Sequence, residues 1–159
     1  MRGAFDKYLL ANPGRRGAFE WICLLALSIC SYIFKFALFP SSRALLALGA
    51  ILLVLGFVIH GLSHAVHREA HRRSREISGI VTRGIYSKIR HPGYLGLILM
   101  YIGIPLIFKS WASLLVAGFF SALYVLTAFR EEEILLERFG EDYESYMRRV
   151  RWRFLPYIF

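Results

Sequence analysis

The sequence predicts an all-α integral membrane bundle, with about four transmembrane helices followed by cytoplasmic amphipathic helices at the C-terminal end. Three features lead there. Of 159 residues, 57% are hydrophobic, mean hydropathy is +0.48, and the apolar residues gather into runs separated by charge. This length suits one domain, and the composition excludes an ordinary soluble fold. We read residues 1–159 as a single membrane domain. Residues 1–76 carry an arm, two spans and a helix extension, and residues 77–159 carry a cofactor-binding loop, a helical hairpin and C-terminal helices.

The four expected spans are Trp21 to Phe39, Ala44 to Val66, Gly93 to Phe108 and Ser110 to Phe129. The second and fourth contain no charged residue and are long enough to cross roughly 30 Å of hydrocarbon. The first carries Lys35 near its far end, where a lysine snorkels to the headgroups, and the third is short. Residues 1–17 read as an interfacial arm with a turn at Asn12-Pro13-Gly14. Arg15 and Arg16 before an apolar run resemble a secretory signal, but the run exceeds the usual length and no small-residue cleavage site follows, so it reads as a retained span.

Positive charge sets the expected orientation. The N-terminal arm holds four Lys and Arg residues, the loop from Arg68 to Arg90 seven, and the tail from Arg130 to Arg153 six, which is 17 of the 20 in the chain. All three segments are expected to be cytoplasmic, with both termini inside. The net charge of +9 then follows from topology and from attraction to anionic membrane lipids, and needs no nucleic acid. Cys23 and Cys30 lie seven residues apart on one helix, a rise of about 10 Å, too far for a disulfide.

Span two is expected to continue as a helix through "VIHGLSHAVHREAHRRSRE", until glycines at 79 and 84 break the pattern. Spans three and four form a hairpin with almost no connection, so they pack as antiparallel neighbours. Gly96, Gly103 and Ala112 permit close helix approach, and Gly103 with Pro105 equally suits a kink. The tail shows helical spacing of Leu135, Phe139, Tyr143, Tyr146 and Val150, interrupted near Gly140, with Trp152, Phe154 and Tyr157 suited to the interface.

Three groups of residues stand out for chemistry. At Arg90-His91-Pro92 a proline opens span three, leaving backbone donors that attract an anion beside Arg90 and His91; a positively charged anchor ending in a helix cap explains the same residues. The run Arg130-Glu131-Glu132-Glu133 sets carboxylates at the end of span four, against the helix dipole. Either that helix continues, as Ile134-Leu135-Leu136 suggests, or a cation compensates. The hairpin brings this acidic end close to His91, so one site offers opposite charges to a zwitterion, although a solvated acidic turn fits equally. Third, His60, His64, His67 and His71 share one stripe of a helix. A metal or haem is one reading of the stripe, and polar residues lining a cavity between helices is the favoured one. No metal ligand is assigned.

Together, "VTRGIYSKIRHPGYLG" and, some 35 residues later, "EEEILLERFGEDYESYMRRVRWRFLP" resemble the isoprenylcysteine carboxyl methyltransferase family and its phospholipid methyltransferase relatives. The resemblance runs from about Ile80 to Pro156, half of the chain, with G-x-Y, R-H-P-x-Y, a hairpin, E-E and FG-x-x-Y-x-x-Y in order. It implies a membrane enzyme using S-adenosylmethionine in a cytoplasmic pocket. By position it assigns Val81, Gly84, Tyr86, Arg90, His91, Pro92 and Tyr94 to the cofactor, together with Glu131 and Glu132. It also assigns His91, Glu131 and Glu132, with Arg151 or Arg153 towards the substrate end, to catalysis. Ile85 departs from a family proline, and the G-x-G of the phospholipid enzymes is missing. The expected function is methyl transfer to a lipophilic acceptor reached from the bilayer, most nearly of the isoprenylcysteine carboxyl type. Transfer to a phospholipid amine or a hydrophobic thiol are the alternatives, and a non-enzymatic haem- or metal-binding protein is the rival of another class. Nothing in the sequence gives the oligomeric state.

Overall fold

The computed structural model describes residues 8–40, 42–66 and 79–156. The extension expected over 67–76, with His67 and His71, and the interfacial Tyr157 lie outside the described residues. Among the described residues the helices are α1 (Pro13–Phe34), α2 (Arg43–Val66), α3 (Pro92–Phe108), α4 (Trp111–Phe139) and α5 (Glu141–Arg149), with a 3-10 turn at Gly84–Ser87. The bundle is all-helical as expected. Among the described residues three helices, α1, α2 and α4, are long and apolar enough to cross a membrane, and α3 is a shorter apolar helix.

Helix α1 begins earlier than the sequence pattern suggests. Asn12 caps it, its side chain accepting the Arg15 N–H at 3.2 Å, and Pro13 occupies the first turn. Proline lacks only an N–H that has no intrahelical partner there. The expected turn at 12–14 is therefore a helix start, and the expected interfacial residue Arg16 lies one turn inside the bundle. The helix ends at Lys35, in the left-handed conformation with φ of 57°. From there the chain meets the turn between α3 and α4. The Phe39 N–H donates to the Lys109 carbonyl at 2.9 Å, and the Trp111 N–H donates to Ala37 at 2.8 Å.

The tightest helix pairing joins α2 to α3, not α3 to α4. Gly49 faces Gly103 and Gly56 faces Gly96, two pairs of small residues seven positions apart on antiparallel helices. A Cβ built on Gly56 would lie 2.6 Å from the Gly96 carbonyl oxygen and 2.5 Å from Met100 Cγ. Such closeness gives the van der Waals packing that joins helices in lipid. We expect Gly56→Ala to force the helices apart and cost about 1–3 kcal/mol, measured as a loss of thermal stability in detergent. Gly61→Ala on the same helix, where a Cβ meets nothing within 4 Å, should be neutral or slightly stabilising, since alanine favours helix.

Helix α3 runs through Pro105 to Phe108. At α4, Ser110 caps the N-terminus by accepting the Ser113 N–H. The 29 residues of α4 extend roughly 43 Å at 1.5 Å per residue. This exceeds the hydrocarbon thickness, so the segment from Arg130 onward stands beyond the membrane, and the helix continues through its carboxylates. Gly140, at φ of 50°, breaks it before α5. That short helix has Glu141, Asp142 and Glu144 in its first turn and Arg148 and Arg149 in its last, the arrangement its dipole favours. Helix α1 packs on α3 and α4, whereas α2 packs along α3. Outward residues such as Phe19, Ile22, Ile51, Val54, Leu115 and Phe119 leave an apolar surface for lipid.

Candidate active site

The start of α3 is tied to the C-terminal tail. The Arg90 N–H donates to the Trp152 carbonyl and the His91 N–H to that of Arg153, both at 2.9 Å. These two donors precede the first turn of α3 and fix the tail. The Arg90 guanidinium completes the staple: Nη1 donates to the carbonyls of Val150 at 2.9 Å and Arg151 at 3.2 Å. Phe154 is buried, with its ring centroid 5.9 Å from that of His91.

Glu132 sits at the centre of this staple, 4% exposed. Its Oε1 accepts from Arg90 Nε at 2.8 Å and lies 3.0 Å from His91 Nε2, and its Oε2 accepts from Arg153 Nε at 3.0 Å. Burial acts to raise the Glu132 pKa. The hydrogen bond from His91 and the charges of His91, Arg90 and Arg153 outweigh it and hold the carboxyl below its ordinary range. Of the two readings of the acidic run, the helix continues, and its second carboxylate is also compensated by Arg90, His91 and Arg153.

Glu131, about 100° around the helix from Glu132, faces the other way. It lines a half-enclosed cavity of about 280 Å³. Tyr94 donates its hydroxyl to Glu131 Oε1 at 2.6 Å, and His91 Nδ1 lies 3.9 Å from Glu131 Oε2. The His91 and Tyr94 rings are parallel, 5.8 Å between centroids. His91 thus stands between the two carboxylates, braced by the buried one and presented to the cavity beside the other.

The remaining walls come from three elements. Tyr86, on the 3-10 turn, has its hydroxyl 2.7 Å from Ser63 Oγ, and its carbonyl accepts the Tyr146 hydroxyl at 2.8 Å. Gly84 shapes this turn with φ of 61°, and a Cβ there would lie 2.8 Å from Val66 Cγ2. Only glycine combines that backbone with that approach. Burial raises the pKa of Tyr86, Tyr143 and Tyr146, so all three present neutral phenol rings. On the membrane side the cavity is bordered by Gly14, Gly17, Ala18 and Trp21 of α1 and by His60, Ser63 and His64 of α2. These helices meet at Trp21 and Phe57, with ring centroids 6.2 Å apart.

Of the residues singled out by sequence, Val81, Tyr86, Arg90, His91, Tyr94 and Glu131 line the cavity. Gly84 and the buried Pro92 shape its frame. Glu132 and Arg153 lie behind it, and exposed Arg151 contributes a backbone carbonyl to Arg90. Among the described residues no group of three or more His, Cys, Asp and Glu gathers as a metal site.

Sequence reasoning missed a polar cluster inside the bundle. Glu20, fully buried, accepts from Arg16 Nε at 2.9 Å, Tyr8 at 2.8 Å and Tyr101 at 3.0 Å. Arg16 Nη1 also donates to the Leu9 carbonyl at 2.9 Å and Thr127 Oγ1 at 2.8 Å. An Arg-Glu pair four residues apart at the head of an apolar run was the available signal.

A sequence model described as phospholipid methyltransferase matches residues 44–142, well over half of the chain. The chain belongs to the phospholipid methyltransferase family. It is 33% identical over 76 residues to a protein-S-isoprenylcysteine O-methyltransferase of Schizosaccharomyces pombe, covering 45% of this chain and 30% of that protein. It is 31% identical over 80 residues to the Dictyostelium discoideum enzyme of the same name, covering 50% and 33%. It is also 28% identical over 82 residues to the mouse Delta(14)-sterol reductase TM7SF2, covering 50% and 20%. The chain thus spans a fifth to a third of the length of these relatives.

Proposed function

We propose that this chain is an S-adenosylmethionine-dependent methyltransferase acting on a lipophilic acceptor that enters from the bilayer. The observation that carries this reading is the pairing of Glu131 with His91 on one cavity wall, at the start of α3 and beyond the membrane end of α4. The similarity to a sterol reductase as well as to methyltransferases means that the shared segment alone does not assign methyl transfer. The charge arrangement favours it.

The donor set suits the cofactor. Glu131 would hold the cofactor's ammonium, and His91 and the first turn of α3 would hold its carboxylate. The neutral rings of Tyr86, Tyr143 and Tyr146, with Val81, would offer its base and sulfonium apolar and π surface. When bound, the cofactor supplies a methyl group activated by its sulfonium. The chain's own contribution is positioning and exclusion of water: Glu132 fixes His91 and Arg90, and Arg90 draws the tail across the site. The cavity border formed by α1 and α2 lies on the membrane side, and is the side from which an acceptor with an apolar chain and a nucleophilic end would reach the cavity. The concentration of positive charge in the arm, loop and tail supports a cytoplasmic side for this site and both termini.

Purified protein incubated with methyl-labelled cofactor and a total lipid extract should transfer label to a lipid-soluble product. Reduction of a sterol without methyl incorporation would replace this reading with a reductase one.

A further inference from the structure

The buried Arg16–Glu20 pair on α1 reaches both of the helices that carry Tyr94 and Glu131. Glu20 Oε2 accepts the Tyr101 hydroxyl of α3 at 3.0 Å, and Arg16 Nη1 donates to Thr127 Oγ1 of α4 at 2.8 Å. Thr127 spends its own hydroxyl proton on the Leu123 carbonyl at 2.7 Å, so towards Arg16 it only accepts. The Arg16 guanidinium also lies over the Tyr124 ring, 4.4 Å from its centroid. One side chain, aimed by Glu20 at its Nε, therefore grips two residues of α4, and all five residues are buried.

The gripped face of α4 leads to the cavity. Glu131 follows Thr127 by about one turn and Tyr124 by about two, so the three share a side of the helix, while Glu132 points about 100° away. The Tyr124 ring packs on that of Tyr94 with centroids 5.1 Å apart, and Tyr94 donates to Glu131 at 2.6 Å. We propose that Arg16 is a positioning residue for this cavity. By holding Thr127 and Tyr124 it sets the rotation of α4 that turns Glu131 into the cavity, and through Tyr124 it keeps Tyr94 on Glu131. This rests on the methyltransferase reading above, in which Glu131 holds the cofactor's ammonium.

The required precision is small in angle. At a side-chain radius of about 5 Å, a turn of α4 by about 10° moves a carboxylate by about 1 Å, and a displacement of about 1 Å can cost about 10²-fold in rate. The staple on Glu132 restrains the same rotation from behind the cavity, and Arg16 restrains it from α1. Helix α1 lies outside residues 44–142, which the family model matches, so this support reaches the shared segment from a part of the chain that the match does not include.

The test titrates S-adenosylhomocysteine into wild type, Thr127→Val, Thr127→Ser and the double variant Arg16→Leu with Glu20→Leu, each with and without Glu131→Gln. Valine keeps the shape of threonine without its hydroxyl, and serine keeps the hydroxyl. Thr127→Val and the apolar pair, each shown to be folded by thermal unfolding, should bind about tenfold more weakly, and adding Glu131→Gln should then cost less than it does in wild type, since coupled sites are not additive. Thr127→Ser should bind as wild type does. Wild-type affinity in Thr127→Val or in the folded apolar pair, a Glu131→Gln penalty as large in those backgrounds as in wild type, or an equal loss in Thr127→Ser would each overturn the proposal and leave the cofactor site standing. Thr127→Val decides the matter whether or not the apolar pair folds. Wild-type protein that fails to bind S-adenosylhomocysteine would overturn the methyltransferase reading and this proposal with it.

Discussion

Glu132→Ala should lower stability in detergent by about 3–5 kcal/mol, the usual cost of leaving a buried charge without its partner. Arg90 and Glu132 are both almost fully buried, at 7% and 4% exposure, and Arg153 and His91 share the same carboxylate. The loss should be local as well as global, with the tail from Val150 to Pro156 becoming protease-sensitive, because Arg90 holds that tail through Val150 and Arg151 only while its own charge is satisfied. Replacing both members, as Arg90→Met with Glu132→Leu, should cost less than Glu132→Ala alone. Thermal unfolding with tail proteolysis checks each outcome. The pH dependence follows from the lowered Glu132 pKa. A carboxyl depressed in the folded state contributes stability that is present above the ordinary carboxylate range and is lost as pH falls through the folded value. Wild type should therefore lose stability on acidification below that range, and Glu132→Ala should lose less.

The second large effect is expected at Glu20. Removing its carboxylate by Glu20→Ala leaves Arg16 charged, 6% exposed and inside the bundle, at a cost of about 3–5 kcal/mol. Tyr8 and Tyr101 lose their acceptor at the same time. Since Arg16 also reaches Leu9 and Thr127, the change should loosen the segment before α1 from α4, and hydrogen exchange at residues 8–12 should rise. Arg16→Leu together with Glu20→Leu should recover much of the loss, as apolar replacement of a buried pair often does.

The sequence revealed the parts of the fold that depend on composition and adjacency. The apolar runs, the nearly connection-free hairpin and the Gly140 break all appear in the structure because each is set by residues close in the chain. The meeting of His91 with the acidic run was legible for the same reason, since an antiparallel hairpin leaves those ends little choice. What the sequence could not separate was Glu131 from Glu132. Adjacent helical residues point about 100° apart, and which one faces the cavity depends on how α4 is rotated against α3 and the tail. Arg16 looked like an interfacial charge because its partner Glu20 lies before the apolar run seemed to begin at Trp21. Gly49 and Gly56 drew no attention because a small residue signals close packing only when its counterpart on another helix is known. The histidine stripe was visible, but the approach of His60 Nδ1 to the Gly93 carbonyl at 3.1 Å joins residues 33 positions apart in the chain and was not.

Calorimetric titration of S-adenosylhomocysteine into detergent-purified wild type and Glu131→Gln tests the candidate cofactor site most directly. Glutamine keeps the size of Glu131 and a hydrogen-bond acceptor for Tyr94 while removing the charge, so the fold should stand. Saturable binding by wild type, weakened at least tenfold in a folded Glu131→Gln protein, is the expected result. Absence of binding by folded wild type, or equal binding by the variant, would contradict the assignment of this cavity.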